Sequence, residues 1–382
     1  ALFGPFEELK RQILASLLLI PRRDLSLVSY EQAQLPIASG GLGLTNSEVV
    51  ATAAYCAAII DWLKHKCSAT SSPFKTPREL IFDKVDETTW SIKDNLPSTL
   101  TDLLVAVDSF HREVDLDGLK PQDHSSTLAC CVQILSNLEF SKEKGTVQHQ
   151  IVQFLMKGHE KRFTDKITNI QGIGNAYLAW FTSLQCTEAG AWLTAAPKSP
   201  ALQFSSSLQY AVALRLRLFL PQPNLIPGTR CTCSRQPLVD IRCHHLLTGC
   251  GQAGTRKDIH DEQVFEFASI LQYLGMRTKR EERGLFRDMD PDDDHVPDIS
   301  VLNPPPGICK TSPLLLDFSF TSPLAGISAG QYKQITVNLA TQPGRMANIR
   351  AQQKLVKYAK FCQPNDLGQE RFSFLPLVSE TS

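Results

Sequence analysis

Residues 314–320 read LLLDFSF, a short apolar and aromatic run bounded by Pro313. A run of this length and composition predicts a β-strand. Asp317 then sits between Leu316 and Phe318, and a charged carboxylate inside a sheet is costly unless it is paired or binds a cation. The plain alternative is an edge aspartate facing solvent. Whatever surrounds this segment must therefore supply a sheet, together with a reason for the charge.

The flanking sequence supplies the sheet. The spacing predicts a helix over 258–274, strands over 276–280 and 298–302, a helix over 345–362 and a last strand over 372–378. The order α-β-β-β-α-β makes 255–382 a small α/β domain with a mixed sheet. Before it, 221–227 is a proline-rich linker. Residues 1–220 read as mainly α: helices are expected over 6–19, from 46 or 47 to 62, and over 99–110, 126–138, 147–168 and 170–184. The first has Phe6, Leu9, Ile13 and Leu17 at helical spacing as its apolar face. Between 34 and 45 a proline and three glycines among aliphatic residues predict an ordered extended turn. The fold class is α+β overall, and no internal repeat is seen.

Composition bounds the function classes. A chain of 382 residues with 42% apolar and 20% charged residues is neither disordered nor fibrous, and suggests two or three domains. The longest near-apolar run, 51–63, is broken by Asp61 and is far shorter than the ~20 residues of a membrane span. With no signal pattern at its start, the chain is expected to be intracellular, nuclear or cytoplasmic, with no membrane partner. Eleven cysteines, an odd number widely spread, fit a reducing compartment. The 39 basic and 39 acidic residues cancel, but unevenly: 79–117 has ten acidic residues against three basic, and 201–254 has five arginines against Asp240 alone. Neutrality therefore does not exclude nucleic acid as a partner.

The basic stretch coincides with the one dense cysteine group, CTCSRQPLVDIRCHHLLTGC at 231–250. Zn²⁺ takes four soft or borderline ligands in a tetrahedron. The expected set is Cys231, Cys233, His245 and Cys250, with Cys243 and His244 able to replace members of it. The competing reading is a group of buried thiols with solvated histidines. The knuckle over 228–254 carries basic flanks (Arg230, Arg235, Arg242, Arg256, Lys257) suited to phosphates.

In the α/β domain, Asp298 opens one predicted strand and Asp317 lies in the next. Neighbouring strands are ~4.8 Å apart, so carboxylates at matching positions can share one or two Mg²⁺ ions (or Mn²⁺) that activate water against a phosphodiester. A lysine is expected as the third member. Helix 345–362 carries Arg345, Arg350, Lys354, Lys357 and Lys360 and no acid; Met346, Ile349 and Val356 form its apolar side, and Arg350 and Lys360 are candidates for phosphate contact or for a solvated face. Glu262 and Glu266 on the preceding helix are candidates for a further metal ligand, and His260 is read as a cap or surface group. The loop DMDPDDDH (288–295) lacks the glycine and the distal glutamate of a Ca²⁺ loop and reads as a solvated approach.

Taken in order, LPIASGGLGL (35–44), GAWLTAAP (190–197), LRLRL (214–218), the CCHC-like cluster, Pro297-Asp298, LLLDFSFTSPL (314–324), the K-x-x-K-Y of 354–358 and FLPLVSET (374–381) resemble the C-terminal part of non-LTR retrotransposon reverse-transcriptase polyproteins that carry a restriction-like endonuclease of the PD-(D/E)XK type. The resemblance covers most of the chain. It implies a thumb-like start to 1–220, a zinc knuckle at 228–254 and a restriction-endonuclease-like core at 255–382 that nicks DNA, with RNA as a further partner. It further implies Asp298 and Asp317 as catalytic metal ligands and a lysine displaced onto the following helix, Lys354 or Lys357, with Lys333 a third candidate. The D-x-K spacing departs from the pattern, since Ser319 stands two places after Asp317. No polymerase palm is present in the sequence. The alternative is a decayed or domesticated nucleic-acid-binding protein, or a fragment of a reverse transcriptase without its palm.

Overall fold

The computed structural model describes residues 3–47, 50, 51, 54, 58, 82–84, 90–92, 147–186, 189–194, 204, 206–223, 225, 226, 228–233, 242, 250, 255–308, 313–324, 342–363 and 371–380. They fall into two compact units, Ala1–Asn169 and Ile170–Ser382. The helices expected over 99–110 and 126–138 lie outside the described residues.

In the first unit, α1 (Phe3–Leu17) and α2 (Leu27–Gln34) are joined through a 3-10 turn at Arg22–Asp24. Ser26 caps α2 by accepting from the Ser29 N–H. Leu14, Ala15, Leu18, Leu25, Ala33 and Leu35 are buried. The apolar face expected of α1 is not the one that packs: Phe6, Leu9, Ile13 and Leu17 are exposed. The buried side carries Leu14 and Ala15, and polar groups one turn apart, Glu7 and Arg11, anchor it. Arg11 donates to the Leu25 carbonyl at 2.6 Å. Glu7 accepts from the Tyr30 hydroxyl at 2.8 Å, the Gln34 amide at 3.1 Å and the Ser47 N–H at 2.7 Å. Glu7 thereby supplies the acceptor at the start of the helix that begins at Ser47.

The glycine-rich segment is ordered as a 3-10 turn at Ile37–Ser39 followed by extended chain. Gly40 has φ 84° and Gly43 φ 74°, the left-handed region in which glycine carries no steric penalty. Gly41 is required for another reason: a Cβ there would lie 2.0 Å from the Leu35 carbonyl oxygen. A short hairpin, β1 (Phe82–Lys84) with β2 (Trp90–Ile92), and α3 (Val147–Thr168) complete the described part of this unit. Helix α3 packs on α2.

The second unit opens with α4 (Gly174–Ser183), α5 (Ala191–Thr194) and α6 (Ser207–Arg217). Trp180 is fully buried and its indole N–H donates to the Leu216 carbonyl at 2.8 Å. Tyr177 stacks on Phe219 at 4.7 Å. Arg217 is also buried, donating to the Ala189 carbonyl at 3.0 Å, and burial lowers its pKa to about 10.

The rest of this unit is a mixed four-stranded sheet with helices on both faces. After α7 (Thr255–Tyr273) come β3 (Thr278–Arg280), β4 (Ile299–Val301), β5 (Leu314–Thr321), α8 (Arg345–Tyr358) and β6 (Ser373–Glu380). The strand order is β3-β4-β5-β6, antiparallel for the first two pairings and parallel for the last. The class is therefore α+β. Side-chain alternation along β5 sorts two cores. Leu314 and Leu316 pack with Ile299, Val301 and the α7 residues Val264 and Ala268. Leu315 packs on the other face with Phe286, Tyr358 and Phe361. Phe286 and Phe361 stack at 3.8 Å, and Tyr358 stacks on Phe374 at 4.3 Å. No helix among the described residues is long and apolar enough to cross a membrane.

Candidate metal and phosphate site of the sheet

Asp317 follows Leu316 on β5, so alternation turns it to the Leu315 face, where α8 lies. Ile299 pairs with Leu316 in the antiparallel register. One step further along that register Asp298, at the mouth of β4, stands opposite Asp317. Both are largely withdrawn from water, with side chains 13% and 6% exposed.

Helix α8 presents Arg350, Lys354 and Tyr358 to this face, spaced four residues apart as one side of a helix requires. Lys354 Nζ lies 2.6 Å from Asp317 Oδ1 and donates to the Phe318 carbonyl at 3.1 Å. Arg350 Nε donates to Ser319 Oγ at 3.1 Å, and the Tyr358 hydroxyl to the Val296 carbonyl at 3.3 Å. Ser319 points to the same face as Asp317, and the cation missing from that strand position arrives from α8. Of the apolar side expected for this helix, Ile349 and Val356 are exposed, Val356 by 76%, while Met346 is half-buried.

From α7, His260 Nε2 approaches Asp298 Oδ2 at 3.3 Å, and His260 Nδ1 approaches Asp261 Oδ1 at 3.2 Å. Asp298 Oδ2 also accepts the Phe318 N–H. His260 stands one turn before Val264, on the stripe that continues through Ala268 into the sheet. That phase answers the question left open for the helix acids. Glu262 and Glu266 are exposed on the other side, so Glu262 is not placed at the aspartates and His260 is. Extending the buried stripe one turn toward the helix start is the signal that identifies it.

The electrostatics divide the two carboxylates. Burial pushes the Asp317 pKa up, reinforced by the Asp298 carboxylate beside it and opposed by Lys354. Burial acts in the same sense on Asp298, but the His260 imidazole, the Asp317 carboxyl and the Phe318 N–H outweigh it and hold Asp298 below the usual range. Conversely, the hydrogen bond to Asp298 raises His260 to about 9 against the effect of burial. Burial and the nearby Asp317 charge push Tyr358 well above an ordinary phenol.

One atom is left over. Asp317 Oδ2 is buried and has no hydrogen-bond partner, an arrangement that costs stability unless a cation or water takes the lone pairs. Two opposed carboxylates with an orphaned oxygen between β4 and β5 fit a divalent cation with oxygen ligands such as Mg²⁺ or Mn²⁺.

The other expected cations are distributed differently. Lys357 is exposed and lies over the Tyr358 ring at 5.0 Å, away from Asp317. Lys360 is engaged by Asp290 at 2.8 Å and by the buried Asp293 at 2.7 Å. Asp293 also accepts from His295, and Arg371 pairs with Asp288 at 2.9 Å. The acidic loop is thus tied to the unit by cations instead of being wholly solvated, and Lys360 is committed to it. Arg242 donates to the Phe219 carbonyl at 2.9 Å with its guanidinium over that ring at 4.6 Å, which makes it a packing residue here. Lys257 is exposed. The side chain of Arg256, like Lys333, lies outside the described residues.

Cys231, Cys233 and Cys250 bring their sulfurs within 4.8 Å of one another, with Cys231 and Cys250 at 3.5 Å. This group could hold a metal. A tetrahedral Zn²⁺ with Zn–S bonds of ~2.3 Å places its sulfurs just under about 4 Å apart, a spacing that the Cys231–Cys250 pair meets at 3.5 Å. The Cys233 N–H favours a thiolate at Cys231, but burial and the neighbouring sulfurs outweigh it and hold that thiol above its usual pKa. A cation reverses that balance. The remaining candidates, Cys243, His244 and His245, lie outside the described residues.

Comparison of the chain with protein-family models, with curated proteins and with solved structures gives no match.

Proposed function

We propose that residues 255–382 form a metal-dependent DNA endonuclease with a restriction-endonuclease-like core, of retrotransposon origin, that hydrolyses a phosphodiester to nick its target. The reading rests on one observation: buried Asp317, with one carboxylate oxygen on Lys354 at 2.6 Å and the other without a partner, faces Asp298 across two paired strands. Asp298 and Asp317 would hold the Mg²⁺ or Mn²⁺, which supplies an activated water and stabilises the leaving oxygen. Lys354 has three N–H donors. Two are used by Asp317 and the Phe318 carbonyl, and the third is free to orient the attacking water or neutralise charge on the phosphate. Arg350, anchored on Ser319 and Gln353, steers the backbone toward the pair, with Lys257 a further phosphate contact. The three cysteines, completed by one of 243–245, would form a zinc knuckle that adds DNA or RNA affinity.

Incubation of supercoiled plasmid with the purified chain and Mg²⁺ or Mn²⁺ tests the proposal. Nicking is expected, and Asp317→Ala, with a retained fold checked by circular dichroism, should abolish it. Nicking that persists in this variant overturns the site.

A second reading, nucleic-acid binding without cleavage, is favoured by the fact that His260 and Lys354 already compensate both carboxylates. Salt-sensitive DNA binding with no cleavage in either metal would establish it.

A further inference from the structure

Lys354, Lys360 and Arg371 each engage a carboxylate, whereas Arg277, Arg280, Arg283 and Arg287, all exposed, engage none among the described residues. These four lie in 277–287, which has five basic residues against Glu281 and Glu282, and Glu282 is taken by Lys279 at 2.7 Å. The stretch begins on β3, the open edge of the sheet. Edge strands are often guarded by charge against pairing with another chain, but a guard needs only the strand itself, and here the arginines continue through the turn beyond it. Arg280 lies over the Phe265 ring at 4.9 Å, so its charge sits on the α7 side of the edge. Where β3 ends, Glu281 has φ 45° and donates its N–H to the Asp298 carbonyl at 3.1 Å, which brings the stretch up to the aspartate pair. At its other end stands Tyr273, 92% exposed, and among the described residues no ring packs on it. At ~1.5 Å per helical residue, Tyr273 is ~20 Å along α7 from His260.

We propose that Tyr273 and the arginines of 277–287 form a track for one unpaired strand of DNA and lead its backbone to Asp298. Guanidinium groups match phosphates through paired N–H donors, and an exposed ring flanked by them is a stacking platform for an unpaired base. A duplex keeps its bases stacked on one another and would use the arginines alone. The inference deepens the nuclease reading by naming DNA with a single-stranded segment as the substrate class. It rests on that reading for the choice of DNA, though not for the affinity of the track for a single strand.

Fluorescence anisotropy of the full chain with a labelled DNA oligonucleotide, in buffer without added Mg²⁺ or Mn²⁺, provides the test. The expected result is salt-sensitive binding, tighter to the single strand than to the same strand in a duplex. Arg277→Gln, Arg280→Gln and Arg283→Gln should each reduce the slope of log K against log[salt] by ~0.7. Tyr273→Ala should weaken single-strand binding about tenfold and leave duplex binding unchanged. Arg23→Gln, at an exposed cation of the first unit, is the control and should change neither. Wild-type affinity and salt slope in the arginine variants, or a wild-type single-strand affinity in Tyr273→Ala, overturns the inference. So does tighter binding of RNA of the same sequence, or arginine-dependent binding of anionic phospholipid vesicles in place of the oligonucleotide. If strand binding fails while plasmid nicking persists, the nuclease reading stands without the track. If the strand binds through these residues and no nicking occurs, the track stands and the nuclease reading falls.

Discussion

Lys354 Nζ and Asp317 Oδ1 lie 2.6 Å apart, and both side chains are close to nine-tenths buried. The lysine reaches the aspartate because Arg350, Lys354 and Tyr358 form the inward stripe of α8, and β5 turns Asp317 and Ser319 to the same face. A pair withdrawn from water this far is tolerated only when both members stay, since either alone is an uncompensated buried group.

Lys354→Ala should therefore destabilise the second unit by about 3–5 kcal/mol, while Lys354→Ala combined with Asp317→Asn should recover part of that loss. Lys357→Ala, on the exposed side, should change stability by no more than about 0.5 kcal/mol and leave nicking unaltered. Denaturant titration of the wild type, Lys354→Ala, Asp317→Asn and the double variant checks the cycle, and a plasmid assay separates the two lysines.

The cysteine group should carry one Zn²⁺ per chain. Elemental analysis of protein purified without chelator is expected to find it, and Cys231→Ser or Cys250→Ser to lose it. Removal of the metal by a strong chelator should make these thiols reactive to a disulfide reagent and lower DNA affinity. Full retention of zinc in both variants would place the ligands elsewhere.

Glu7 ties three segments of the first unit, and its pKa is lowered to about 2. Burial alone would raise it, but hydrogen bonds from Lys10, the Ser47 N–H and hydroxyl and the Tyr30 hydroxyl prevail. A depressed folded-state pKa stabilises the fold above the unfolded value near 4.5, and that contribution disappears as pH falls toward 2. Glu7→Gln should cost about 1–3 kcal/mol at pH 7 and flatten the dependence of stability on pH between about 4.5 and 2. Thermal melts of both proteins across that range check it.

Gly41→Ala should destabilise the turn before the helix at Ser47 by at least about 1–3 kcal/mol, the usual cost of overpacking, because the added carbon meets a main-chain carbonyl that no rotamer change can move. Gly4→Ala, where a Cβ meets nothing within 4 Å, is the control, and circular-dichroism melts compare the two.

Much of the α/β unit was legible in the sequence because its strands and helices are written in local periodicity. The LLLDFSF strand, the basic helix and the order of elements around them need only alternation and 3.6-residue spacing to be seen. The aspartate opposite Asp317 was legible for the same reason, since two strand positions can be matched by pattern. Inward faces were less so. On α1 and α8 the apolar stripes Phe6-Leu9-Ile13-Leu17 and Ile349-Val356 point outward; the packed side of α1 combines Leu14 and Ala15 with the anchoring polar groups Glu7 and Arg11, and that of α8 carries Lys354 and Tyr358. A rule that sends apolar residues inward fails where hydrogen bonds and ion pairs orient the helix.

By itself the amino-acid sequence determined the succession of elements in 255–382, the need to compensate a carboxylate within β5, and the cysteine grouping. Only the tertiary structure decided which partners meet: Lys354 and not Lys357 at Asp317, His260 and not Glu262 at Asp298, Lys360 on the acidic loop, Arg242 on Phe219. Those choices depend on helix phase and strand register between segments tens of residues apart. No local propensity encodes them, because each partner's position is set by the packing of the element that carries it.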